Sequence, residues 1–372
     1  MMGLSGTGHD ALDRAVGRAL SGPSAPPGAC VATSTGGRVQ WSAGGVAQQF
    51  DDDGALVDPP PMDLATRTDV GSVTKLIGTT LAIMRLVDTA ALRLTDPVRA
   101  IVPALAGTPV GGADVQQLLE HRAGLWEWWP TYLEPGDPLD VVANLPLRHS
   151  PESGRHYSDL GFILLGLVVS AVTGEPLPVS VRRLVLEPLE LTATTYGSPA
   201  PGAPVAASSS GDRIEREMVR TGRPYPVTAD PERFTGWRRH VLAGEVNDGN
   251  AFHSFGSAAG HAGLFSTAAD LLLAGDAVLA GLRGDGLIGP RTSRLFLTGG
   301  AVPEQGLGFR RWSTAAGTAY GHTGFPGVAI AVLPDRQCTA VLVTNRLHVS
   351  GSPAPTEPLW AEILPLLIEG ER

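Results

Sequence analysis

The sequence predicts a mixed α/β fold of the α+β kind. An antiparallel sheet flanked by helices is drawn from both ends of the chain, with a mainly helical subdomain between. Three observations carry this. Two alternating runs in ACVATSTGGRVQWSAGG lie near the start with Gly-Gly between them, which is a hairpin signal. Two β-branched runs, GVAIAVLP and CTAVLVTN, lie near the end. The stretch between has helical runs and little strand signal, so the early and late strands are expected to share one sheet.

In chain order, the first twenty residues place Leu12, Val16 and Leu20 four apart, the spacing of a short amphipathic helix. The first hairpin turns at Thr35-Gly36-Gly37. Residues 50–63, FDDDGALVDPPPMD, read as a polar loop broken by proline. LIGTTLAIMRLVD is apolar nearly all round, so a buried helix is expected, stopping near Thr95-Asp96-Pro97. VQQLLEHRAGL is expected to stop at Gly124, and LGFILLGLVVSAVTG at Gly174, each with glycine just past the helix end. Residues 200–245 are polar and Arg-rich without clear periodicity. GLFSTAADLLLAGDAVLA starts a helix, with Thr267 and Asp270 spaced as a capping box that carries Asp in the Glu place. Pro334-Asp335-Arg336 joins the last two strands, and a terminal helix follows from Glu357. No internal repeat is present.

Composition narrows the function. The chain has 372 residues, 43% hydrophobic and 17% charged, so it folds around a large core. With 47 Gly and 31 Pro, its loops are expected to be many and long. The net charge of −9 argues against a nucleic-acid partner. Cys30 and Cys338 are too few for a disulfide framework; on the first and last sheet segments, they are candidates for neighbouring free thiols. The N-terminal segment lacks the charged start and apolar run of an export signal, and no run approaches a membrane span. The expectation is a cytoplasmic protein with no membrane partner.

The chemistry begins at GSVTKLIGTT, residues 71–80. Lys75 is the only lysine among 28 Lys and Arg residues. Arg stays protonated, whereas a Lys amine can give up its proton when desolvated or crowded. On a helix, Ser72 and Lys75 share a face at i and i+3. A serine beside such an amine is an activated nucleophile. An ordinary surface lysine is the plainer reading of S-x-x-K alone.

Other constellations are absent. The chain holds no G-x-S-x-G elbow, no Walker loop, no G-x-G-x-x-G after a strand and no H-E-x-x-H. Nine scattered His do not suggest zinc. No cofactor and no metal are expected. Two stretches remain. Tyr157-Ser158-Asp159 directly precedes LGFILLG, where a tyrosine can relay a proton if a nearby cation lowers its pKa. GHTGFPG, residues 321–327, precedes a strand, and its glycines let a substrate lie against the backbone.

S-x-x-K, then Y-S-D, then H-T-G, in that order, resemble the motifs of the serine β-lactamase and penicillin-binding-protein-like superfamily. The similarity is to its class C, D-alanyl-D-alanine carboxypeptidase and family VIII esterase branch. It spans roughly residues 28–347 and includes QQLLEHRAGL, LEPLELTATTY and GEVNDGNAFHSFGSAAGHAGLFSTAADL. The resemblance implies a five-stranded-type antiparallel sheet with helices, plus an all-helical subdomain. Residues 1–75 and 255–372 would form the sheet domain and 76–254 the helical one, with the site between them. It implies Ser72 as nucleophile, Lys75 as its base partner, and Tyr157 as the tyrosine that helps deprotonate Ser72 and protonates the leaving group. His322-Thr323-Gly324 would be the third motif, and the backbone N–H groups of Ser72 and Phe325 the oxyanion hole.

Two departures bear on substrate. Asp159 stands where the second motif usually ends in Asn; an ionised carboxylate there raises the Lys75 pKa, leaving more of the proton transfer to Tyr157. A structural hydrogen-bonding role for Asp159 is the alternative. His322 stands where the third motif commonly begins with Lys. A mostly neutral His suits carboxylate substrates less well, so β-lactams are expected to be poor substrates. Trp126, Trp128 and Trp129 are candidates either for an acyl pocket or for core packing. The expected function is a serine hydrolase forming an acyl-enzyme from an intracellular ester or amide. A transacylase of the same fold, passing the acyl group to an amine or alcohol, is the alternative. A D,D-carboxypeptidase or β-lactamase ranks lower, and a catalytically inactive binding protein lowest.

Overall fold

A computed structural model describes residues 5–6, 10–227 and 229–369. Seven strands form the main antiparallel sheet. They are β1 (Ser5–Gly6), β2 (Gly28–Thr35), β3 (Arg38–Gly45), and, from the far end of the chain, β9 (Arg310–Thr314), β10 (Gly317–Gly324), β11 (Val328–Leu333) and β12 (Cys338–Thr344). The order across the sheet is β1-β3-β2-β12-β11-β10-β9. The first and last segments meet where β2 pairs with β12, Cys30 opposite Val343 and Thr35 opposite Cys338. The sheet thus has seven strands, not five. The two additional strands are its edges, a two-residue β1 and the polar β9.

Two smaller sheets complete the strands. One joins β4 (Thr68–Asp69), β5 (Thr195–Tyr196) and β8 (Leu264–Ser266); the other joins β6 (Ala207–Ser210) and β7 (Val241–Ala243). The β6–β7 ribbon and a helix over Arg213–Thr221 lie in the region without clear periodicity.

The alternation of each strand sorts its side chains between two cores. Val341 and Val343 face a core shared with the central helices, including Ala268–Arg283. Ala340 and Leu342 face a second core closed by the first and last helices, Asp10–Ala19 and Thr356–Glu369, with Leu12, Val16, Trp360 and Ile363. Cys30 and Cys338 are not neighbours. They sit near opposite ends of the β2–β12 ladder and face different cores, and no disulfide joins them.

The hairpin between β2 and β3 turns on Gly36 and Gly37, at φ +58° and +84°. A type I′ turn needs positive φ at both positions, and Gly-Gly supplies it without a Cβ clash. The helix Asp159–Thr173 ends at Gly174, which adopts φ +71°, the left-handed cap the sequence predicts. Thr267 caps the helix Ala268–Arg283 by accepting the Asp270 N–H at 3.1 Å. The Asp270 carboxylate turns away instead, to Ala193 N and Thr194 Oγ1.

Two helix ends differ from the sequence expectation. The buried helix after Ser72 stops at Asp88, not near Thr95-Asp96-Pro97. Ala90 takes φ +58°, and Ala91 N and Leu92 N both donate to Leu86 O, closing the end early. The helix Val115–Leu119 stops well before Gly124. His121 takes φ +57°, held by the loop at 156–158: His156 N donates to His121 O at 2.8 Å, and Ser158 N to His121 Nδ1 at 3.0 Å. Gly124 serves a later turn, where a Cβ would stand 2.3 Å from His149 O. Among the described residues no single helix is long and apolar enough to cross a membrane.

Candidate active site

Ser72 lies in a tight turn, Gly71–Val73, that runs into a π-helical turn over Lys75–Thr80 and then the α-helix Leu81–Asp88. The side-by-side placement expected from i, i+3 spacing is met although this segment is not regular α-helix. Lys75 Nζ donates to Ser72 Oγ at 2.8 Å and to His261 O at 3.3 Å. It also contacts Asp159 Oδ1 at 2.6 Å, and the Lys75 side chain is wholly buried. Lys75 Nζ lies 5.1 Å from the centre of the Tyr157 ring, and Tyr157 lines the same cleft as Ser72.

The sequence positions Tyr157 and Asp159 through the helix that follows them. Ser158 caps the helix Asp159–Thr173, its Oγ accepting the Gly161 N–H at 3.1 Å and donating to Trp126 O at 2.7 Å. With Ser158 turned into the cap, its neighbours face the cleft. Asp159 then stands at the helix start, where a negative charge is favoured by the helix dipole.

The protonation states follow from competing effects. Burial alone pulls the Lys75 pKa down, but the Asp159 charge and then Tyr157 outweigh it and leave it above 10.5. Burial raises the Tyr157 pKa above 10.0, only partly offset by Lys75. At neutral pH the resting site therefore holds an ammonium and a phenol. Burial, with the Lys75 charge second, pushes His322 well below 6.5, so its ring is neutral. His322 Nδ1 lies 2.7 Å from Thr323 O, so we assign the ring proton there. Nε2 is buried without a hydrogen-bond partner among the described residues.

The third motif meets the serine turn through glycines. A Cβ on Gly324 would stand 2.2 Å from Val70 O, and one on Gly71 would stand 2.4 Å from the Pro326 ring and 3.3 Å from Phe325 N. Gly71 also adopts φ +49°. Only glycine on both sides lets the end of β10 approach so closely. This brings Phe325 N beside the Ser72 turn. Pairing of β10 with β9 stops at Gly321–Arg310, whereas pairing with β11 continues to Gly324–Val328. The β9-side edge of His322–Gly324 is therefore outside the ladder, and an extended substrate can pair there.

These residues line one cleft of about 530 Å³, which contains Ser72, Tyr157, Asp159, His322, Thr323, Gly324 and Phe325. Of the three tryptophans near the Gly124 turn, only Trp128 lines it. Trp126 and Trp129 pack edge to face, 5.0 Å apart, against the core.

Several cleft residues carry no signal in the sequence motifs. Glu215 and Met218 come from the helix Arg213–Thr221, and Arg346, Thr356 and Glu357 from the stretch after β12. Thr323 Oγ1 donates to Glu357, which is also paired with Arg310. Asp69, just upstream of Ser72, accepts the N–H groups of Gly71 and Asn247 at 2.7 and 2.6 Å, and burial pushes its pKa up to about 6. Arg346, two residues past the mostly apolar strand Cys338–Thr344, was the one local signal available.

Known proteins that resemble the chain include two relatives in sequence and one solved structure. An N-acetylmuramyl-L-alanine amidase of Bacillus subtilis is 29% identical over 352 residues, covering 87% of this chain and 78% of its own. A putative D-alanyl-D-alanine carboxypeptidase of Escherichia coli is 28% identical, covering 83% and 76%. The solved structure of EstCE1, described as a hydrolase with promiscuous acyltransferase activity, superposes with a TM-score of 0.68 at 21% identity, covering 97% and 96%. The Beta-lactamase family pattern matches residues 17–364. With that match over nearly the whole length, and an antiparallel sheet flanked by helices, the chain belongs to the Beta-lactamase family of serine hydrolases.

Proposed function

We propose that the protein forms an acyl-enzyme at Ser72 from a small ester or amide and releases the acyl group to water. The observation that carries this reading is the 2.8 Å hydrogen bond between Ser72 Oγ and the wholly buried Lys75 Nζ. A lone lysine buried beside a serine in a cleft has no evident structural role that Arg or an apolar residue would not fill.

The mechanism starts from a protonated Lys75. Handing one proton to the Asp159 carboxylate, 2.6 Å away, leaves a neutral amine facing Ser72 Oγ. The amine takes the hydroxyl proton as Oγ bonds to the acyl carbon. Charge then develops on the acyl oxygen, and the N–H groups of Ser72 and Phe325 stabilise it. As the bond to the leaving group breaks, Tyr157 supplies its phenolic proton, and Lys75 restores it. In the second half, water loses a proton along the same chain and attacks the acyl carbon, releasing the acid and Ser72.

A transacylase is the second reading, in which an amine or alcohol replaces water in that last step. EstCE1, whose fold is similar, is described as combining the two activities. The test measures p-nitrophenol release from short acyl esters, with and without added amines, for wild type and Ser72→Ala. Release that needs Ser72 and yields free acid supports the hydrolase. Acyl-amide formed at the expense of acid favours the transacylase. Stoichiometric capture of ligand without turnover would point to a binding protein instead.

A further inference from the structure

The nine histidines are scattered along the sequence, yet the fold stacks two of them. The His149 and His156 rings lie face to face, 3.5 Å apart and 5° from parallel. Glu127 completes a group. Its Oε1 lies 3.2 Å from His149 Nε2, and one ligand atom from each of the three residues lies within 4.8 Å of the others. All three residues are half-buried, and none of them lines the catalytic cleft.

Each of the three stands on backbone that is held elsewhere. Glu127 O accepts the Asp159 N–H at 2.8 Å, His149 N donates to Gly124 O at 3.0 Å, and His156 N donates to His121 O at 2.8 Å. The side chains therefore come from loop segments already tied to their neighbours, which lowers the cost of gathering them around one ion.

Two imidazoles and a carboxylate are a donor set suited to zinc and its first-row neighbours. Calcium and magnesium, which take oxygen donors, suit it less well. Donors about 2.1 Å from a tetrahedral ion stand about 3.4 Å from one another. The 3.2 Å between Glu127 and His149 already fits, and rotation of half-buried rings closes the remainder. Arg148 engages Glu127 Oε2, which leaves Oε1 to the ion. Its guanidinium also repels a cation, so the affinity should lie below that of a closed four-ligand site.

We propose that Glu127, His149 and His156 bind one divalent first-row metal ion, with water completing the coordination. The ion would join the loops that carry Tyr157 and Asp159 without touching substrate. His156 directly precedes Tyr157, and Glu127 holds the Asp159 N–H through its own carbonyl. The role is structural, and it lies outside the acyl-enzyme reading.

Zinc is the probe. Full-length protein freed of metal with a chelator is titrated with zinc by calorimetry, and its Tm is read with and without the ion. We expect one ion per chain with a micromolar Kd, and a Tm that rises with zinc concentration because the ion favours the folded chain. His149→Ala, His156→Ala and Glu127→Gln should each weaken binding by about tenfold or more. Lack of a one-to-one site, or a site that keeps its affinity in any of the three variants, overturns the proposal and leaves a hydrogen-bonded ring stack. Should the variants fail to fold, X-ray absorption of the wild-type zinc complex decides: scattering from two imidazoles is expected, and its absence overturns the site. None of these readouts uses ester hydrolysis, so failure of the metal site and failure of the hydrolase reading are told apart.

Discussion

Lys75 Nζ and Asp159 Oδ1 meet at 2.6 Å, with the lysine wholly buried and the carboxylate nearly so. The pair determines the resting charge of the candidate site. Burial pulls the Lys75 pKa down, and Asp159 together with Tyr157 holds it above 10.5.

Replacing Asp159 with Asn removes that charge. Burial then acts on Lys75 with less opposition, and its pKa falls. Wild type begins with Lys75 protonated and passes that proton to Asp159, whereas the variant must first lose it to solvent, so the acidic limb of the kcat/KM profile should move to higher pH. The rate at the optimum should fall about tenfold, because the proton acceptor is lost. A pH–rate profile for Asp159→Asn with the limb in its wild-type place would count against the electrostatic role.

Lys75→Arg keeps a cation beside Asp159 but cannot offer an amine. Ester hydrolysis should drop by roughly a hundredfold to ten-thousandfold. The larger side chain should cost about 1–3 kcal/mol in a slot without solvent access, read as a lower urea midpoint. Wild-type turnover by this variant would remove Lys75 from the mechanism.

Ser72→Ala and Tyr157→Phe separate nucleophile from proton carrier. Ser72→Ala should abolish the covalent adduct and lower turnover about a thousandfold or more. Tyr157→Phe should still form the adduct, more slowly, and mass spectrometry of the trapped protein distinguishes them. An adduct persisting in Ser72→Ala would place the nucleophile elsewhere.

Glu215 gives a pH signature in stability rather than rate. Burial, with the Asp248 charge second, pushes its pKa from 4.5 up to about 8. Its oxygens accept from Tyr132 Oη at 2.6 Å and Gly249 N at 2.9 Å. Because the folded pKa is raised, the unfolded chain releases its proton first. The stabilising contribution is whole below the ordinary value and is lost as pH rises toward about 8. Glu215→Gln should remove that decline, so its Tm relative to wild type climbs between about pH 5 and about pH 8. Parallel Tm profiles would show that Glu215 does not titrate there.

Gly324→Ala tests the close approach behind the oxyanion site. The new Cβ would sit 2.2 Å from Val70 O, so β10 must shift from the Ser72 turn. We expect a loss of about 1–3 kcal/mol in stability and a fall in kcat larger than any change in KM. A normal kcat with normal Tm would mean that the Phe325 N–H position is not demanding.

Local residue patterns determined much of this protein. Gly36-Gly37 set the first hairpin, Gly174 and Thr267 set helix ends, and apolar runs gave β11 and β12. A solitary lysine three residues after a serine pointed to the cleft, because that spacing is short enough to survive a change from α-helix to tighter and wider turns. What required the tertiary structure came from contacts between distant segments. His121 ends its helix because residues 156–158 hold it. Cys30 and Cys338 lie apart because pairing register, not strand adjacency, sets their distance. The protonation of Lys75 depends on burial set against Asp159, and the exposed charge balance of a sequence contains neither. Arg346 looks like any other arginine in the chain until the fold buries it, since solvation is a property of the packed molecule and not of the residue.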